Sequence, residues 1–414
     1  MKILFLTDNF PPETNAPAVR THEHARVWVE EGHDVTVVTG APNFPSGVVH
    51  EGYRNRPYAV DYMDGIRVVR VWTYMAANKG RIRRSLDYLS YMLSSIPAAL
   101  AQRRPDVVVG TSPQLLAGVA ALTVARMKRR PFVFEVRDLW PESISAVGAA
   151  SGPLVRLLER VADTLYREAA LIVSVTESFV RILAERGISR DRLVVVRNGV
   201  DLETFHVRPR DEGLLKSLGV DPNRFVATYV GTLGMAHALS SVLECAELTR
   251  DEPVQYLLVG DGAEKPALET RTTERGLANV TFTGKLPREM IPRVLSSSDA
   301  VLVHLRDDPL FRTVIPSKIF EAMAAGRPIV LGVRGESAEI VTEAEAGIVV
   351  KPEFPPELAA AVTRLRNDPG LVRGLGANGR RAAEEKYQRR ASALRMLEAL
   401  ERVVGAVSPS SPGS

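Results

Sequence analysis

The chain has 414 residues, 25% of them charged and 45% hydrophobic, with a formal net charge of +4. That length suits two domains with their own cores, and the balance excludes a disordered or fibrous chain. The single Cys245 excludes an internal disulfide, and one cysteine with seven scattered histidines forms no metal-ligand cluster. No apolar run reaches about 18 residues, so no membrane-spanning helix is expected. The apolar start, residues 3–6, is too short for a signal-peptide core, which points to a cytoplasmic chain. Basic residues lack interleaved stacking aromatics, which argues against a nucleic-acid partner.

In chain order, short apolar runs alternate with helical patterns, which predicts an α/β fold with parallel sheets covered on both faces. First-half strands are expected at 2–7, 34–39, 67–72, 106–110, 131–136, 171–175 and 193–196. Between them lies a basic segment, 79–104, with Lys79, Arg81, Arg83, Arg84, Arg103 and Arg104 around an apolar stretch interrupted by Pro97. Such a segment suits either core packing or an anionic membrane surface. Residues 197–201 have turn chemistry, and the polar stretch to about 222 reads as a domain linker. A second set of strands follows at 225–230, 254–259, 280–283, 300–305, 328–332 and 347–350, then Ala-, Leu-, Arg- and Glu-rich helices over 357–404. The boundaries drawn are 1–200 for the first domain, 201–388 for the second, 389–406 for a final helix and 407–414 for a disordered tail. Ligands of such sheets bind at the carboxyl ends of the strands.

Those strand ends hold the candidate site residues. Residues 315–330 read as a loop, a helix opened at Pro316, a Gly326 stop and a buried strand. Lys318 and Glu321 share one face of that helix, where Lys318 suits a phosphate and Glu321 a sugar hydroxyl. Gly231, Thr232, Leu233 and Gly234 follow a strand, and the glycines allow backbone amides to approach a phosphate. His237, just beyond, reads either as a surface residue or as a weak ligand candidate. Asp261 reads as a turn former or a ligand. Gly284, Lys285 and Leu286 close the next strand. In the first half, Arg137 and Asp138 follow a buried strand, as a surface pair or as a site. Glu135 is a charge inside that strand, either paired with Arg137 at an edge or lining a cleft. Glu13, Asn15 and Arg20 follow the first strand and are candidate acceptor or phosphate contacts. No Asp-x-Asp occurs, so no catalytic divalent metal is expected.

The run Pro316-Ser317-Lys318, with Glu321, Met323, Ala324, Gly326 and Pro328, resembles the nucleotide-binding segment of family-4 retaining glycosyltransferases of the GT-B fold. The resemblance extends to 9–13, 30–37, 42–47, 137–142 and 229–234, and is closest to bacterial surface-polysaccharide enzymes of the N-acetyl-L-fucosamine transferase type. It implies two facing Rossmann-like domains, with a last helix crossing back to the first. It implies donor contacts from Gly231 to Gly234, Gly284 to Leu286, Thr313, Pro316, Ser317, Lys318 and Glu321. Asp138, Lys318 and Arg312 become the catalytic set, and Glu13, Asn15 and Arg20 the acceptor side. The implied reaction is retaining transfer of an N-acetyl-hexosamine, possibly 6-deoxy. Its donor is a nucleotide sugar, UDP-linked, and no other cofactor is needed. The implied acceptor is a polyprenyl-diphosphate-linked saccharide at the inner face of the plasma membrane. Three departures stand out. Residues 235–238 lack the family's Arg and Lys, Thr313 replaces a Glu eight residues before Glu321, and residues 15–18 replace a Gly-Gly turn. They keep two rivals open, a nucleotide-sugar epimerase of the same architecture and a non-catalytic nucleotide-sugar-binding partner.

Overall fold

The computed structural model describes residues 1–44, 46–75, 81–139 and 152–407. Pro45, Lys79, Trp140 and the tail from 408 lie outside the described residues. The chain divides into two units, Met1–Asn198 with the C-terminal helix from Arg389, and Gly199–Gln388.

The first unit is built on an eight-stranded sheet: β1 (Lys2–Leu6), β2 (Asp34–Gly40), β3 (Tyr58–Met63), β4 (Ile66–Val71), β5 (Val107–Thr111), β6 (Phe132–Val136), β7 (Leu171–Ser174) and β8 (Leu193–Val195). The order is β3-β4-β2-β1-β5-β6-β7-β8. Pairing is parallel except between β3 and β4. The second unit holds β9 (Phe225–Val230), β10 (Val254–Val259), β11 (Val280–Gly284), β12 (Ala300–His304), β13 (Ile329–Gly332) and β14 (Gly347–Val349), all parallel, in the order β11-β10-β9-β12-β13-β14. With β3 set aside, each order reverses direction once, between β1 and β5 and between β9 and β12. In such sheets ligands bind outside the strand ends at that reversal.

β3 is an element the apolar runs did not predict. It forms a hairpin with β4 through Asp64 and Gly65, at φ 49° and 78°, the left-handed pair that a two-residue turn demands. Its residues are partly exposed, so they lack the continuous apolar run of a buried strand. The expected linker is also corrected. Val200, Phe205, Leu214, Leu215 and Val220 are buried in the second unit, and Asp211 caps a short helix there, α6 (Glu212–Ser217). These apolar residues are irregularly spaced, so no periodicity announced them.

The helices that position the sites are α1 (Ala16–Glu30), α2 (Arg81–Leu100), α10 (Lys318–Ala324), α11 (Glu336–Glu343) and α14 (Arg389–Val407). Pro97 does not break α2; it sits in the last turn. α14 packs along α1 in the first unit, where the Trp28 indole donates to the Ala393 carbonyl at 2.9 Å. Arg389 pairs with Glu23, and Arg390 with Glu30 and Glu31.

Candidate functional site

At the reversal point of the second unit, two turns interlock. Gly231 donates to the Val259 carbonyl at 2.9 Å, and Leu233 to Asp261 at 2.9 Å. A Cβ on Gly260 would lie 1.8 Å from the Gly231 carbonyl oxygen, and one on Gly262 would lie 2.3 Å from that of Leu233. Only glycine permits that approach. Asp261 accepts from the Gly262 amide at 2.8 Å, the turn-forming role.

Below this turn Tyr229 is fully buried, and its hydroxyl donates to the Thr232 carbonyl at 2.8 Å. Lys318 enters from α10 and sets its ammonium 4.0 Å from the Tyr229 ring centroid. A cation over such a face is attracted by the ring quadrupole, by about 1–2 kcal/mol when desolvated. A Cβ on Gly231, at φ 148°, would stand 2.7 Å from that ammonium. Gly231 therefore leaves the turn open where the charge arrives. Burial pushes the Lys318 ammonium down to about 8, with Glu321 opposing the shift. An ammonium held in place with little carboxylate compensation is suited to an incoming anion.

Other donor-side expectations land differently. α10 has only seven residues, and the amides of Ile319, Phe320 and Glu321 already donate to the carbonyls of Pro316 and Ser317. The Lys318 charge thus outweighs the helix start as a phosphate contact. Arg312 is exposed and paired with Asp307 at 3.2 Å, which Arg334 approaches at 3.7 Å. Thr313 donates its hydroxyl to the Leu310 carbonyl at 2.6 Å. The Gly284 carbonyl accepts from Gly260, Lys285 is exposed, and Leu286 is half-buried against apolar neighbours. His237 is half-buried, and its ring stands edge-on to Tyr229 at 5.8 Å. Tyr229 went unnoticed in the sequence, although an aromatic two positions before Gly231 was the available sign.

In the first unit, Ser112 organises the end of β6. Its hydroxyl accepts from the Arg137 amide at 2.8 Å and the Asp138 amide at 3.2 Å. Burial raises the Asp138 carboxyl to about 6, with Arg137 opposing, and lowers Arg137 to about 10.

The three acceptor-side residues hold the fold. Arg20 is buried and donates to Glu135 at 2.8 Å, to the Val196 carbonyl at 3.0 Å and to Asn198 at 3.0 Å. Glu135 also accepts from Thr111 at 2.8 Å, so it neither pairs at an edge with Arg137 nor lines a cleft. Burial would raise its pKa, and Arg20 and Arg137 more than offset that. Glu13 is buried and accepts from the amides of Asn43 and Phe44, each at 2.8 Å. Asn15 caps α1 by accepting from Ala18 at 3.0 Å. Unpairing a buried charge costs several kcal/mol, so Arg20 and Glu13 serve the fold, and Asn15 serves it as a cap.

The reversal point of this unit holds residues the sequence did not mark. Asp8, just beyond β1, is raised well above an ordinary carboxyl by burial and by Asp87 and Glu13, while the Gln114 side chain bonds to it. Burial raises Asp87, on α2, to about 6. Between the unfolded value of 3.8 and about 6 the native state binds the extra proton. Stability is therefore complete below the unfolded value and is lost as pH rises through about 6. Asp87→Asn should accordingly raise the melting temperature at neutral pH, by about 1–2 kcal/mol of stability. The gain should vanish near pH 4, which thermal melts at the two pH values would test.

Comparison with known proteins accounts for this arrangement. Residues 15–199 match the family described as Glycosyl transferase 4-like domain, and residues 224–368 match Glycosyl transferases group 1. The 2-deoxystreptamine glucosyltransferase of Streptomyces kanamyceticus is 30% identical over 303 residues, 70% of this chain and 76% of that protein. The chain belongs to the GT-B glycosyltransferases. WcaI of Escherichia coli, named for colanic acid biosynthesis, is 27% identical over 352 residues, covering 83% of this glycosyltransferase and 84% of WcaI. Among solved structures, Anabaena HepE in complex with UDP-glucose superposes with a TM-score of 0.73 at 20% identity, covering 97% of this chain and 100% of HepE. At that identity the likeness speaks for the fold.

Proposed function

We propose that this glycosyltransferase moves a sugar, an N-acetyl-hexosamine of 6-deoxy type, from a UDP-linked donor to a polyprenyl-diphosphate-linked saccharide in surface-polysaccharide assembly. The observation that carries the reading is the Lys318 ammonium, held on Tyr229 and left uncovered by Gly231. A diphosphate placed there meets a fixed cation in a partly desolvated turn, which is where charge on a departing group is best stabilised. The colanic acid biosynthesis for which WcaI is named supports the assembly context, and the UDP-glucose complex of HepE supports the donor class.

The reaction proposed is retaining and metal-independent. The bond from the sugar to the diphosphate breaks, the anomeric carbon gains positive charge, and the acceptor oxygen attacks from the same face. The departing phosphate oxygen takes the acceptor's proton, so no covalent nucleophile is required. Asp138, whose carboxyl burial raises to about 6, is proposed to hold a sugar hydroxyl.

Membrane contact is proposed for α2. Leu86, Leu89 and Leu93 are exposed along it beside the exposed Arg83 and Arg84. Apolar side chains next to cations suit an anionic bilayer surface.

The test is incubation with a panel of nucleotide sugars, with and without polyprenyl-diphosphate-linked saccharide, followed by chromatography and NMR of the product. A new glycoside of retained configuration, formed without added metal, is expected. A new nucleotide sugar formed without acceptor would instead indicate an epimerase. Release of no sugar to any acceptor would leave only a binding protein.

A further inference from the structure

His237 stands in a setting that the donor reading has not used. It ends the short turn 235–237, and Ala238 after it is in the left-handed region at φ 44°. The ring edges against Tyr229, on whose face the Lys318 ammonium sits. Its Nδ1, like that of the adjacent His304, is buried without a hydrogen-bond partner, and the His304 backbone approaches the ring as a weak acceptor. A buried polar atom left unpaired costs about 1–3 kcal/mol, so its retention beside the turn calls for a reason. The His304 ring differs in its other nitrogen, Nε2, which accepts from the Glu353 amide at 3.3 Å, and it sits where Gly332 lacks a side chain, so it is pinned by the fold.

We propose that His237 is the second cationic arm of the diphosphate site, taking up a proton from solvent as the donor binds. This rests on the reading of the Lys318 turn as the donor site. Burial and the Lys318 charge push the free imidazole down to about 4, so it is neutral in the unliganded protein at physiological pH. His304 acts in both directions, its backbone hydrogen bond raising the imidazole and its ring charge lowering it. Glu321 acts on Lys318, Glu353 acts on His304, and Tyr229 stays protonated. A diphosphate brings two negative charges to one ammonium. It cancels the repulsion from Lys318 and leaves a charge that an imidazolium can match. Anion binding then raises the His237 pKa, and the proton comes from water.

Calorimetry of UDP-, TDP-, GDP- and ADP-glucose binding, in buffers of different ionisation enthalpy, reads the proton uptake directly. The diphosphate of these probes is esterified at both ends and does not titrate near neutrality. For the best binder, close to one proton should be taken up near pH 5 and little near pH 7, with affinity about tenfold or more higher at the lower pH. A second uptake, near pH 8, belongs to Lys318. His237→Gln should lose the acid uptake and keep the alkaline one, which also shows that the variant is folded and binds. His237→Lys, a fixed cation, should bind near pH 7 about as tightly as the wild type does near pH 5, with no acid uptake. Donor binding with no acid uptake in the wild type, or the same uptake in His237→Gln, overturns the proposal. Failure of the wild type to bind any of the four overturns the donor-site reading and this proposal together.

Discussion

Lys318→Met lowers glycosyl transfer at least tenfold and raises the melting temperature at neutral pH. The first effect follows from removing the fixed cation: a charge-assisted hydrogen bond to a diphosphate is worth roughly 1.5–3 kcal/mol, or about 10- to 150-fold in rate. The second follows from linkage. The Lys318 ammonium is pushed from 10.5 down to about 8, so between those values the unfolded chain binds the extra proton and stability rises with pH. At neutral pH the fold carries the full cost of a desolvated ammonium. A methionine of similar length removes that cost, for a gain on the order of 1–2 kcal/mol after allowance for the side chain's partial exposure. The combination separates a site residue from a structural one, because losing a structural cation would lower both activity and stability. Donor affinity should also fall as pH rises above about 8 in the wild type, by at most about tenfold per pH unit, and be flat there in the variant. A wild-type affinity that ignores pH in this range, or a variant with unchanged turnover, would remove Lys318 from the site.

Gly260→Ala should cost more than any other single methyl near the donor turn. Its Cβ would lie 1.8 Å from the backbone carbonyl oxygen of Gly231, and φ of 140° is itself strained for a side chain. The obstructing atom is main chain, held by the Gly231-to-Val259 hydrogen bond, so neither side can yield without breaking the turn. A loss of about 3–5 kcal/mol is expected, with donor binding lost beside it, readable by denaturant melts and calorimetry. Gly231→Ala is the instructive contrast. Its Cβ meets the tip of a flexible lysine at 2.7 Å, so Lys318 can move aside. Gly231 shares the strained backbone, at φ 148°, so stability should fall by about 1–3 kcal/mol, less than at Gly260, while donor affinity falls about tenfold as the ammonium is displaced from the Tyr229 face. Equal destabilisation by the two substitutions would show that the interlocked turns are not what holds the charge.

Much of this was legible before the fold. The buried parallel strands are near-continuous runs of Val, Ile and Leu, because both faces are covered, and their ends were readable to within a residue or two. Lys318 and Gly231 were legible because a helix start and a strand-ending glycine are local features. The residues after β1 were misread for the opposite reason. Glu13, Asn15 and Arg20 are polar groups near a predicted ligand edge, and nothing local distinguishes a ligand contact from a structural clamp. Arg20 finds Glu135 only across 115 positions, and Glu13 finds its two amides about 30 positions away.

Sequence by itself determined the two α/β units, the strand runs, the glycine turns and the presence of a lysine at the start of α10, because each depends on spacing within one segment. Tertiary structure decided which polar groups are engaged and which stay available. That depends on β9, β12 and α10 converging at one sheet reversal, and on how deeply each charge is removed from water, quantities that no single stretch of chain contains.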